Sequence, residues 1–171
     1  MVITGRSLTG LLVVTVAAVL LGSWLLWNRE TPEAKVKAVI REMAACVNKP
    51  AGMKTSTELL KMRAFSGLFT DPCRLELSHT IVNGDYSPTQ MGANLARFFS
   101  MLNQARGEVE DLVVEIHSPD QAEAEFTGIL RGEDRSGRSF EERRELRTRL
   151  VCGEDGVWRV SSVVVRGVLE R

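Results

Sequence analysis

Neither sign of charge is in excess in this chain: 22 Lys and Arg stand against 22 Asp and Glu. Without a basic surplus there is no electrostatic footprint for nucleic acid, and without an acidic tail none for a polycation. Cysteine is scarce as well. Cys46, Cys73 and Cys152 are an odd number, with no C-x-x-C and no Cys/His ligand spacing. That argues against a zinc centre, and no metal or cofactor is expected. One pair could bridge in an oxidising compartment; as thiols the three read as small buried hydrophobes. Tyrosine occurs once and histidine twice, so the candidates for proton chemistry can be weighed one by one. Long apolar runs are absent after Glu30.

Before Glu30 there is one. Leu8–Trp27 (LTGLLVVTVAAVLLGSWLLW) is twenty residues without a charged side chain. At about 1.5 Å per residue a helix of that length spans the roughly 30 Å hydrocarbon core of a bilayer. Trp24 and Trp27 stand near one end, where amphipathic rings prefer the headgroup layer. A cleaved signal peptide has a shorter apolar core and small residues at the cut. Here Leu21-Gly22-Ser23 puts a bulky leucine at the outer small position, so a retained signal-anchor is expected. The division is then a tail (1–7), a transmembrane helix (8–27) and one α+β domain (28–171). The short acid-free tail with Arg6 suits an inside N-terminus, while Arg29, Lys35, Lys37 and Arg41 weigh the other way. The expectation is an inner-membrane, single-pass protein with a periplasmic or otherwise extracytoplasmic domain.

Helical periodicity opens the domain. Thr31-Pro32-Glu33 is a helix start, followed by Val36, Val39, Ile40, Met43 and Val47 on one stripe. A second helix is expected over 56–65, with Leu59, Leu60, Met62 and Phe65 apolar. Gly67–Pro72 reads as a connector, Cys73–Ile81 as a strand, and Asn83-Gly84-Asp85 as a turn. Ser87-Pro88 opens a third helix to about Gln104, carrying Met91, Leu95, Phe98, Phe99 and Leu102 inward. Four long strands follow as a meander. Centring one hairpin near Ser136 sets Glu125 opposite Arg147 and Glu123 opposite Arg149, cross-strand ion pairs that favour this register. On the last strand, Trp158, Val160, Ser162 and Val164 share one face by alternation. Ser161, Val163 and Val165, together with Val157, share the other.

This order of elements, with Asp155-Gly156-Val157-Trp158-Arg159-Val160 at the last turn, resembles the nuclear transport factor 2-like superfamily. The likeness runs from Thr31 to Leu169. It implies a cone of three helices packed on a curved antiparallel sheet. Ketosteroid-isomerase-like and SnoaL-like members of that superfamily hold an acid or histidine base inside the cone. By strand parity the candidates here are His79, Tyr86, Glu142 and Arg144, none in a context that carries over a catalytic role. Each has a plainer reading: a half-buried histidine, a tyrosine packed at the hairpin edge, and a Glu142–Arg144 pair at the open rim. His117 reads as solvated beside Glu115. The charge run from Glu141 to Arg149 reads as the solvated face of a strand. The expectation is therefore a membrane-tethered, non-enzymatic binding or scaffolding module in an envelope assembly. It would homodimerise or meet another envelope protein through Val157, Ser161, Val163 and Val165. The alternative is a small-molecule isomerase, cyclase, dehydratase or carrier that takes a small hydrophobic ligand into the cone.

Overall fold

A computed structural model describes residues 31–77 and 83–166. The expected anchor Leu8–Trp27 and the candidate His79 lie outside the described residues. Among the described residues no helix is long and apolar enough to cross a membrane.

The chain order is α1 (Pro32–Val47), α2 (Thr55–Gly67), β1 (Phe69–Leu77), β2 (Gly84–Tyr86), α3 (Pro88–Met101), β3 (Leu102–Ser118), β4 (Gln121–Asp134), β5 (Ser139–Cys152) and β6 (Trp158–Val165). The strands form one sheet in the order β2-β1-β6-β5-β4-β3. All neighbours are antiparallel except β1 and β6. Val36 and Ile40 of α1, Met91 of α3 and Phe126, Leu150, Trp158 and Val160 of the strands form one buried cluster. The apolar stripes of α1 and α3 thus meet one face of the sheet, the arrangement that buries both.

Local chemistry explains several boundaries. Ser87 accepts from the Gln90 backbone N–H at 3.3 Å, and the Gln90 side chain accepts from the Ser87 N–H at 2.8 Å. This capping box, with Pro88 in the first turn, starts α3. The helix ends at Met101 rather than near Gln104 because tertiary pairing takes the next residues. Lys49 and Ala105 exchange both backbone hydrogen bonds at 2.8 Å, which holds 102–107 extended. In the last turn Asp155 accepts from the Val157 N–H at 3.1 Å and grips the Arg159 guanidinium at 2.6 and 3.2 Å. Gly156 takes φ +73° there, a conformation open to glycine at little cost. Trp158 follows, 4% exposed.

Three further expectations need correction, and α2 packs less deeply than α1 and α3. Phe69 already belongs to β1, paired in parallel with Val160, so 67–72 is not all connector. Gly84 and Asp85 pair with Leu75 and Arg74 as strand rather than turn, and Asn83 accepts from the Leu77 N–H at 2.6 Å. Leu59 and Leu60 are 57% and 67% exposed; α2 buries no residue completely. The last correction concerns β6. Arg149 pairs with Ser162 but Leu150 with Val160, so Ser161 is the extra residue of a β-bulge. A bulge shifts the alternation by one. Trp158 and Val160 face the core as expected, and beyond Ser161 the faces exchange. Val163 is 8% exposed within the core and Val165 packs against it. Val157 stands 46% exposed in the turn. The outward apolar face on which the docking expectation rested is not formed.

The hairpin register is the one the charges favour: Glu125 opposes Arg147 and Glu123 opposes Arg149. Arg147 donates to Glu125 at 2.6 Å. Ion pairs continue along the outer face through Arg131–Glu108 at 2.6 Å and Arg143–Glu110 at 3.3 Å.

Candidate functional site

The interior of the cone is not filled by side chains. A pocket of about 360 Å³ lies between α1 and the sheet. Its walls are Met43 and Val47 of α1, Phe126 and Leu130 of β4, Leu146 of β5 and Val165 of β6. Volume and lining match a site for a small, mainly apolar molecule. α1 offers Met43, Ala44 and Val47 toward the strands, and Gly107 and Gly128 let α1 and Leu146 close in on the strands at the pocket wall.

Three ionisable residues border this pocket: Glu142 and Arg144 on its face of the sheet, and Glu108, whose side chain turns to the ion pairs of the outer face. Glu108 is engaged, meeting Arg106 at 2.8 Å and Arg131 at 2.6 Å. Glu142 and Arg144 lie two residues apart on β5 and meet at 3.5 Å, with side chains 55% and 38% exposed. Such a half-solvated pair adds about 0–1 kcal/mol to stability. It leaves the carboxylate free to turn to a ligand proton and the guanidinium free to meet developing negative charge. A carboxylate beside an apolar chamber suits proton abstraction from carbon.

The remaining candidates fall elsewhere. Tyr86 sits on the edge strand β2, opposite Cys73, and packs against the core. His117 is 3.7 Å from Glu115 on the exposed end of β3. Cys46, Cys73 and Cys152 are free. Cys73 is completely buried, and burial, followed by the charge of Asp85, pushes its thiol up to about 11. Burial raises Cys46 too, so these two behave as apolar side chains rather than nucleophiles. Among the described residues no group of His, Cys, Asp and Glu could hold a metal.

Sequence reasoning missed Lys49, which reads only as the end of a helix. It is 8% exposed and donates from Nζ to the carbonyls of Phe99 at 2.6 Å and Leu102 at 3.0 Å. Glu58 of α2 lies 3.3 Å away. No signal in the sequence marks it; the burial is purely tertiary.

No family model and no curated protein matches the chain. Solved structures do. The hexachlorocyclohexane dehydrochlorinase LinA-type3 from Novosphingobium barchaimii is 12% identical with a TM-score of 0.61, covering 78% of this chain and 84% of its own. A protein assigned as a scytalone dehydratase from Novosphingobium aromaticivorans is 9% identical with a TM-score of 0.62, covering 79% and 83%. A protein assigned as a calcium/calmodulin-dependent protein kinase II association domain from Xanthomonas campestris is 14% identical with a TM-score of 0.63, covering 84% and 93%. At such identities the likeness establishes the fold. It is the α+β cone that the order of elements implies.

Proposed function

We propose that the cone interior is the working part of this protein and takes up a small, largely apolar molecule for an elimination or isomerisation. The apolar pocket of about 360 Å³ with Glu142 and Arg144 at its wall carries this reading. A dehydrochlorinase and an assigned dehydratase on the same fold support it, although fold alone does not transfer activity. In the reaction Glu142 takes a proton from a carbon activated by a neighbouring group. The C–H electron pair forms the new double bond, and in an elimination the leaving group departs with its own electron pair. Arg144 offsets the negative charge that develops. A panel of small ketones, alcohols and halides tests this by turnover and by direct binding. Glu142→Gln should abolish turnover, at least 100-fold, while ligand affinity stays within about threefold. Binding without turnover in the native protein identifies a carrier instead. Absence of both removes the reading.

We propose further that Leu8–Trp27 anchors the chain in a membrane with the domain outside the cytoplasm. The uninterrupted apolar run and the short, acid-free tail before it support this. The chain should resist an alkaline carbonate wash at full length. Arg135→Cys, at an exposed turn, should react with an impermeant maleimide in intact cells when Cys152 is replaced by Ser. Release of a shorter soluble product argues for a cleaved signal, and labelling only after lysis puts the domain inside.

A further inference from the structure

Asn94 interrupts the apolar stripe of α3. It stands three residues after Met91 and four before Phe98, half-buried at the edge of the helix face that Met91, Leu95 and Phe99 bury. An amide in mid-helix is disfavoured relative to leucine, because it loses rotamer freedom and competes with the backbone for hydrogen bonds.

Asn94 lines a second apolar recess of about 320 Å³, with Val47, Phe65, Leu75 and Leu130 among its walls. Val47 and Leu130 are also walls of the first pocket, so the two recesses adjoin. Among the residues lining the second, Asn94 alone has a hydrogen-bonding side chain. The amide is half-buried, and no hydrogen bond joins it to another described residue. The amide is therefore open to solvent at the recess, and a binding site uses a few such polar groups to orient an apolar ligand.

We propose that Asn94 is the specificity-determining residue of the cone, pairing through its amide with one neutral polar group, a ketone or alcohol, on an otherwise aliphatic molecule. The assignment rests on reading the cone as a ligand site. An amide both donates and accepts without charge, so it selects a neutral partner. A carboxylate would call for a cation, and no cationic side chain is among the described residues that line this second recess.

The test compares 2-nonanone with its isostere 2-methyl-1-nonene, which replaces the carbonyl oxygen by a CH2 group. Each is titrated calorimetrically into the full chain in lipid nanodiscs, with empty nanodiscs as the blank. The native protein should bind the ketone about three- to tenfold more tightly, the span of one neutral hydrogen bond. Asn94→Leu should erase that preference and keep the alkene affinity, and Asn94→Ala should repeat the result. A ketone preference that survives both substitutions overturns the role of Asn94 alone. If neither compound binds the native protein, the pocket reading and the Asn94 assignment fall together.

Discussion

At the scale of single residues, Asp155 converts a loop into a fixed turn through charge. Hydrogen bonding to Arg159, with the Val157 N–H next, holds its carboxyl at about 2, below the usual 3.8. Asp134 is held at about 2 as well, chiefly by the Ser136 hydroxyl and then by the Arg138 N–H. A carboxyl depressed in the folded state stabilises that state above its unfolded pKa, and the contribution fades as protons bind. Both aspartates therefore contribute fully above pH 4 and progressively less down to pH 2. Thermal melts of the native protein between pH 5 and pH 2 should show a falling midpoint in that window. Asp155→Asn should lower the midpoint at pH 5 and flatten the descent. An unchanged slope would show that the Asp155–Arg159 contact contributes nothing in solution.

At the scale of elements, the bulge at Ser161 decides which valines of β6 are structural. Uninterrupted alternation puts Val164 inside with Trp158 and leaves Val163 outside; the register places them the other way. Burying an unpaired carboxylate is among the costliest single changes. Val163→Asp should cost at least about 3 kcal/mol or prevent folding, independent of protein concentration, whereas Val164→Asp should cost about 1 kcal/mol or less. Denaturant unfolding of the pair checks this, and the reverse ranking would mean that the bulge is absent. The same example shows what is legible in a sequence. The stripes of α1 and α3, the Ser87-Pro88 helix start and the Glu125–Arg147 register are readable because each is a repeat or pairing of side-chain types. A bulge inserts one residue and leaves no compositional trace. The pocket is equally silent: Met43, Phe126, Leu130 and Leu146 are the residues of an ordinary core, and only their packing leaves them apart. Of the site, Glu142 and Arg144 were accessible through parity, since no bulge intervenes between them and the turn near Ser136. Asn94 was hidden inside a helical stripe that its neighbours satisfied.

At the scale of the whole molecule, Lys49 joins α1, α2, α3 and β3, beside the Lys61–Ala45 bond between α1 and α2 and the Gly107–Asn48 bond from β3. It follows α1 directly, pairs backbone to backbone with Ala105 of β3, and spends its Nζ on the Phe99 and Leu102 carbonyls at the end of α3. The last carbonyls of a helix have no intrahelical donor, and a cation there both satisfies them and complements the helix dipole. Glu58 brings α2 to the same ammonium. The Phe99 ring lies 5.8 Å from Nζ, close enough for its face to attract the charge. A buried lysine is tolerated only where its proton donors are used, and here two carbonyls and a carboxylate use them. Lys49→Met keeps the aliphatic length but strips the donors, so it leaves the Phe99 carbonyl with the Leu102 N–H alone, takes the ammonium from the Leu102 carbonyl and puts Glu58 beside an apolar group. We expect a loss of about 2–4 kcal/mol, read as a lower urea midpoint. The urea slope should stay unchanged, since the variant exposes no more surface on unfolding. A loss under about 1 kcal/mol would mean that water replaces the ammonium at the carbonyls and that the three helices are held without it. A reduced slope would instead show that α2 and its Glu58 separate from the rest before the sheet unfolds, which would make Lys49 the residue on which the cooperativity of the domain depends.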